Sequence, residues 1–420
     1  MDYFYLDLEK KEIRVYSENI EDSFVDGLQG INKIEVIKSK EKNVSREVRV
    51  YLQGIEEPVI IGINKNNQIV KYKNENITNI GDDFLAYNES LTQLELPNLT
   101  QVGDGFLWYN EGLTKLELPN LVQVGDAFLY YNKCLTQLKL TKLTQVGDIF
   151  LCCNEELTHL DLPNLVQVGN NFLDLNKSLI QLNLLNLTKV GDNFLSYNKG
   201  LTHLELPNLI QVENNFLYAN EILNKLLCPK LSKVGSSFLY HNKELVNLEL
   251  PNLTQVGNSF LKFNEKIDHI ELPKLIQLGD DFLNFNKGLT RLELPSLIQI
   301  GDNFLCFNDK LIHLELPNLT KIGNNFLYNN KKLTELELLK LTKIGYNFLS
   351  LNESLAKLEL PKLPEIEKQK TGNSRRITTK NIAKLDRKGE LTTSDIIVAR
   401  NILDNILEDK QIESSKEKDN

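Results

Sequence analysis

The chain has 420 residues, a formal net charge of −9 at pH 7, 41% hydrophobic and 25% charged residues. That balance suits a soluble, well-packed chain and speaks against a nucleic-acid surface, which needs clustered Lys and Arg to meet phosphates. No run approaches the ~18 apolar residues of a membrane span. The five cysteines, Cys134, Cys152, Cys153, Cys228 and Cys306, show neither disulfide nor metal-type spacing, so free thiols in a reducing compartment are expected.

Residues 1–68 open with Met1-Asp2-Tyr3-Phe4-Tyr5, without the basic and apolar segments of a secretory signal. Alternating apolar runs at Phe4-Leu6-Leu8, Ile13-Val15, Ile34-Val36, Val48-Val50-Leu52 and Val59-Ile61-Ile63 predict a small β-rich or α+β unit. Its expected role is to cap the open edge of the repeat array that starts at Ile69. A separate domain with its own activity is the alternative.

From Ile69 a 22-residue unit recurs without insertion or deletion, in thirteen complete copies and a partial one ending at Ile366. It reads L-T-x-L-E-L-P-N-L-x-x-V-G-D-x-F-L-x-Y-N-x-x, and such a period means a solenoid whose units bury their apolar sides against one another. Apolar residues fall at positions 1, 4, 6, 9, 12, 16 and 17. The alternation at 4 and 6 predicts a strand with one buried face, ended by Pro at 7, for example Pro97 and Pro295. Gly at 13, replaced once by Glu213, predicts a backbone position with positive φ. Phe at 16 and Leu at 17, invariant from Phe84-Leu85 to Phe348-Leu349, predict the bulky filling of the return side on a short helical or 3₁₀ turn. Asn at 20, invariant from Asn88 to Asn352, is read as a buried ladder whose amides satisfy backbone groups.

The pattern L-x-x-L-x-L-P-x-L-x-x-[VI]-G-x-x-F-L-x-x-N resembles a leucine-rich repeat, and within that class the BspA-like type. It departs from that type in having 22 residues and Asn where Cys is common. The resemblance implies a protein-binding, right-handed α/β solenoid with a parallel β-sheet on one face. Many such relatives are cell-surface adhesins. The expected organisation is a cap at 1–68, the solenoid at 69–366, a linker at 367–377, a helical segment at 378–408 and a charged, disordered tail at 409–420. The main helix is expected from Ser394 to Leu407, with Ser394 as N-cap. The turn around Gly389 places Lys384 and Lys388 where a calcium loop needs carboxylates, so calcium binding is not expected.

Positions 3 and 5 project from the strand together. Position 5 carries Glu in nine copies, the last six consecutive: Glu249, Glu271, Glu293, Glu315, Glu337 and Glu359. With His269, Arg291 and His313 at position 3, these are the candidate contacts of an acidic face for a protein partner with a basic or amide-rich segment. A solvated face copied by duplication is the competing explanation. Histidines at position 3 are never on adjacent strands, so the nearest stand ~9–10 Å apart, too far to share a zinc; no metal or other cofactor is expected. On the return side, Trp108, Tyr109, Tyr130 and Tyr131 form a second candidate contact patch, with core packing as the alternative.

No phosphate loop, nucleophile elbow or zinc spacing is present. The expected function is a non-enzymatic protein-interaction scaffold, monomeric, cytoplasmic or delivered into a host cell as an effector, without nucleic acid or membrane insertion. The alternatives are a surface adhesin exported by a non-classical route, and an enzyme or signalling protein acting through residues 1–68.

Overall fold

The computed structural model describes residues 3–7, 12–17, 20–23, 28 and 30–360. The expected linker, helical segment and tail lie outside the described residues. The chain divides into two compact units, the first ending at Asn220 and the second starting at Glu221.

The first unit opens with an antiparallel sheet of β1 (Tyr3–Asp7), β2 (Glu12–Ser17) and β3 (Ile20–Ser23), in that order. An antiparallel meander comes next: β4 (Ile31–Lys38), β5 (Arg46–Leu52), β6 (Val59–Ile63) and β7 (Ile69–Lys73). Its core is Val48, Val50, Val59, Ile61 and Tyr72, all buried. β7 begins at Ile69, the first residue of the first copy. After the two-residue β8 (Asn79–Ile80), β9 (Gln93–Glu95) pairs with β7 in parallel, with Tyr72 opposite Leu94, a register offset of one 22-residue coil. The meander and the repeats therefore share one sheet.

Every later complete coil repeats a short strand at positions 3–5, and positions 11–12 add a two-residue strand or an isolated bridge. Positions 3–5 form the main ladder, as Lys115↔Gln137 in the first unit and Arg291↔His313 in the second. Positions 11–12 form a two-residue ladder, as Gln101↔Gln123 and Lys233↔Gln255. The strands stop at position 5, two residues before the Pro that stands at position 7 in most copies and cannot donate to a ladder. Leucines at positions 1, 6 and 9 are almost fully buried in both units, each contributing ~2 kcal/mol of apolar burial. The position-16 phenylalanines stack through each unit with nearly parallel rings, 5.2–5.7 Å apart from Phe84 to Phe216 and 5.3–5.6 Å from Phe238 to Phe348.

The return side corrects the expected helical or 3₁₀ turn. No helix occurs among the described residues, so they form a β-solenoid rather than an α/β one. Positions 15, 17 and 19 instead take positive φ in every complete copy, for example Asp83 (55°), Leu85 (49°) and Tyr87 (56°). In this alternating backbone, N–H and C=O groups point along the stack and pair between coils. Asp83 N donates to Asp104 O at 2.7 Å, Leu107 N to Phe84 O at 3.0 Å and Tyr87 N to Trp108 O at 2.8 Å. A left-handed Leu costs ~1–2 kcal/mol; the hydrogen bonds and the buried side chain offset it.

The glycine at position 13 is corrected too: it is not among the residues with positive φ. Close approach of neighbouring coils explains it. A Cβ on Gly191 would meet Asn170 Oδ1 at 2.6 Å, and one on Gly125 would meet the Gly103 carbonyl carbon at 2.7 Å. The crowding oxygen belongs to a ladder at position 14, where Asp104 Oδ1 accepts from Asp126 N at 2.7 Å. Glu213 keeps a negative φ and its coil keeps that rung, Asn214 N to Asp192 Oδ1 at 2.8 Å.

The asparagines at position 20 are buried and form the expected ladder. Asn286 Nδ2 donates to Leu261 O at 2.9 Å, and Asn286 Oδ1 accepts from Asn264 N at 3.0 Å. Smaller ladders run beside it. Asn120 Nδ2 reaches Pro97 O at 2.8 Å, and the Thr136 hydroxyl donates to Thr114 O at 3.0 Å.

Candidate interaction surfaces

Positions 3 and 5 are two residues apart on one strand, so their side chains share a face. That face is outward: along β9 and its counterparts the burial pattern is exposed, buried, exposed. Parallel register sets Glu249 opposite Glu271, Glu293 opposite Glu315 and Glu337 opposite Glu359. Like charges stacked this way repel. The structure supplies basic partners mostly within each strand. His269 Nε2 lies 3.2 Å from Glu271 Oε1, His313 Nε2 2.7 Å from Glu315 Oε1, and Arg291 is hydrogen-bonded to Glu293. Lys357 bridges Glu359 at 2.8 Å and Glu337 at 3.2 Å. In the first unit Lys115 does the same for Glu117, and its ammonium holds that carboxyl below its ordinary range. Exposed pairs of this kind contribute little to stability, because solvent screens them.

The second unit places most of the predicted sheet-face residues together. Glu271, Glu293, His269 and Arg291 line an open recess of about 390 Å³, walled by Pro273 and Pro295. Beside it Glu293, His313 and Glu315 bring three potential ligand atoms within 4.8 Å of one another. Carboxylate and imidazole donors suit a divalent cation, but Arg291 already engages Glu293. The cluster is therefore an ion-pair network with a cationic member. The basic residues of position 3 thus offset part of the position-5 charge, as their shared face implies.

The predicted aromatic residues of the first unit also come together. Tyr87 stacks on Tyr109 at 5.0 Å, Trp108 meets Tyr87 edge-on at 5.0 Å, and Tyr109 lies 4.6 Å from Tyr131 and 5.4 Å from Tyr130. All are half-buried. The core is filled by position 16, so position 19 forms an outer ladder neither fully packed nor free. Lys133, not singled out from the sequence, sits 4.1 Å over the Tyr131 ring. Burial, with Tyr109 adding to it, pushes the Tyr130 hydroxyl pKa up.

In the next coil the same columns hold Cys152 and Cys153, whose sulfurs are 3.3 Å apart. Burial pushes the neighbouring Asp174 carboxyl up to about 6. Elsewhere, burial raises the thiols of Cys228 to about 12 and Cys306 to about 11, which keeps them protonated and inert. Among the described residues no helix is long and apolar enough to cross a membrane.

The sequence pattern of the BspA type leucine rich repeat region, six copies long, matches residues 64–180, 168–284 and 279–387. Among solved structures the chain is similar to a leucine-rich repeat protein from Bacteroides ovatus. That likeness has a TM-score of 0.53 at 14% identity and covers 80% of this chain and 89% of that one. It is also similar to a leucine rich cell surface protein from Faecalibacterium prausnitzii, at 13% identity and TM-score 0.42, over 82% and 97% of the two chains. The pneumococcal vaccine antigen PcpA matches at 12% identity and TM-score 0.24, over 80% and 99%. No curated protein matches the chain.

Proposed function

The chain belongs to the BspA-type leucine-rich repeat proteins, and from that premise we propose that it is a non-enzymatic scaffold holding a protein partner against its parallel-sheet face. The observation that carries this is the recess of the second unit, where Glu271, Glu293, His269 and Arg291 converge in the open. Acidic groups outnumber the fixed cations there. From Asn247 to Glu359, positions 3 and 5 hold Glu249, Glu271, Glu293, Glu315, Glu335, Glu337 and Glu359 against Arg291 and Lys357. A partner segment carrying Lys, Arg or amide side chains complements that excess, while the internal pairs set its register. The aromatic cluster around Trp108, Tyr109, Tyr130 and Tyr131 is a second contact patch, since half-buried Tyr and Trp supply large contact area at low entropic cost.

Residues 1–68 act as the cap of the array, and the chain works as a monomer in the cytoplasm or inside a host cell. Capture from a cell lysate on immobilised full-length chain tests the binding face. Reversal of Glu271, Glu293 and Glu315 to Lys is expected to abolish capture of the partner with the far-ultraviolet spectrum unchanged. Undiminished capture by the folded triple variant would remove the sheet face as the binding surface. Fractionation tests the placement, and recovery solely from the cell exterior would contradict it.

A further inference from the structure

Positions 8 to 11 hold no Asp and no Glu in any complete copy, in a chain whose formal net charge is −9. The charge they do carry is Lys, and it gathers in the second unit. There Lys230, Lys274 and Lys340 stand at position 8 and Lys233, Lys321 and Lys343 at position 11, against Lys142 and Lys189 in the first unit. All six residues of the second unit are exposed. Lys321 lies opposite Lys343 in the ladder, so two cationic residues share one rung. Between the two columns, position 10 presents Ile276 and Ile298 on neighbouring coils, 52% and 55% exposed. Thr254, Thr320 and Thr342 flank them with their hydroxyls turned onto backbone carbonyls, Thr342 Oγ1 donating to Thr320 O at 2.9 Å. The first acids beyond this ladder are Asp280 and Asp302 at position 14. Each accepts from a backbone N–H of the next coil, Asp302 N and Asn324 N, both at 2.7 Å.

We propose that this ladder of lysines and isoleucines docks the chain on an anionic lipid bilayer, lying on the surface without spanning it. The lysines meet headgroup phosphates and carboxylates, each adding to the attraction of the negative leaflet. Ile276 and Ile298 enter the boundary between headgroups and acyl chains, as apolar residues of an interfacial segment do. Coils stack ~4.8 Å apart, so the lysines from Lys230 to Lys343 extend over roughly 24 Å. That breadth suits a surface of many anions better than a single one. Nucleic acid is the poorer match, because positions 8 to 11 hold no Arg for base edges and no aromatic ring for stacking. A purely acidic peptide would match the lysines and offer the two exposed isoleucines nothing apolar. Positions 3–5 form a different ladder, so the acidic sheet face stays available to its protein partner.

The test is cosedimentation of the full-length chain with vesicles of phosphatidylcholine mixed with phosphatidylserine, set against vesicles of phosphatidylcholine alone. The expected result is binding to the mixed vesicles only, weakening steeply as salt rises. Lys274→Asn, Lys321→Gln, Lys340→Asn and Lys343→Gln together restore the residues that most copies carry at those positions, which keeps the fold. This variant should bind roughly a hundredfold more weakly. Ile276→Thr with Ile298→Thr likewise restores the commonest residue of position 10 and should lose about tenfold at unchanged charge. No binding to the mixed vesicles, equal binding to both kinds, or undiminished binding by either folded variant would overturn the proposal. Capture on soluble polyglutamate without vesicle binding would also overturn it, and would assign the lysines to an acidic protein segment.

Discussion

Asn286 shows what a single residue contributes to this chain. Its amide donates to one carbonyl and accepts from one N–H of the preceding coil, both buried. Asn286→Ala leaves both without partners and is expected to cost roughly 3 kcal/mol, read as a lower urea midpoint. Asn286→Asp should also destabilise, since a carboxylate cannot donate to Leu261 O. The ladder was legible in the sequence because a polar residue recurs without exception beside core positions. Asp174 is a different case, half-buried with its Oδ1 out of solvent, and its position in the return column gave no warning of that. Its carboxyl titrates at about 6 in the folded chain, above the ~3.9 of an unfolded Asp. Between those values the folded state holds the extra proton. Stability is therefore expected to fall as pH rises from about 4 to 6, by at most ~3 kcal/mol and less after solvent screening. Asp174→Asn should lose that slope and melt higher at pH 7, checked by thermal unfolding across the range.

At the scale of the element, the return arc is where sequence reasoning and structure part. Invariant Phe-Leu was read as a short helical turn because bulky apolar pairs commonly sit on one. The signal for the true conformation lay one residue earlier. Position 15 is Asn in six copies and Gly at Gly105, residues that tolerate positive φ better than most. Leu at 17 masked it, since Leu rarely adopts that region. The glycine at 13 drew the attention that position 15 merited, and its recurrence reflects crowding by the position-14 ladder instead. Ile149 offers a test, because a β-branched residue stands there at φ 59°. Ile149→Asn, which restores the commonest residue of the column, is expected to stabilise by about 1 kcal/mol. On a helical turn the same change would be neutral or destabilising, so the sign of the shift in urea midpoint separates the two backbones.

For the whole molecule, the 22-residue period made the solenoid, its sheet ladder and its core legible, because burial recurs at the same positions in every copy. The face that carries function was less legible. Glu at position 5 reads as a stripe of like charge that position 3 partly offsets, and the side-chain geometry adds that most of those carboxylates take a basic partner from their own strand. The first 68 residues are joined to the repeats through β7 and β9. Their deletion would remove β4 to β6 and bare the edge of Ile69–Lys73 together with the buried Tyr72. Such edges template aggregation, so the shortened chain is expected to be insoluble or to self-associate on gel filtration. A soluble monomer would contradict the capping role. The most direct test of the scaffold itself is the affinity of the captured partner for three forms of the chain: wild type, the triple reversal Glu271→Lys, Glu293→Lys and Glu315→Lys, and Trp108→Ala with Tyr131→Ala. The expected result is at least a hundredfold loss for the sheet-face reversal, from desolvated charge contacts worth ~3 kcal/mol or more in total, and a smaller loss for the aromatic pair. Equal affinity of the wild type and the folded triple reversal would contradict the account.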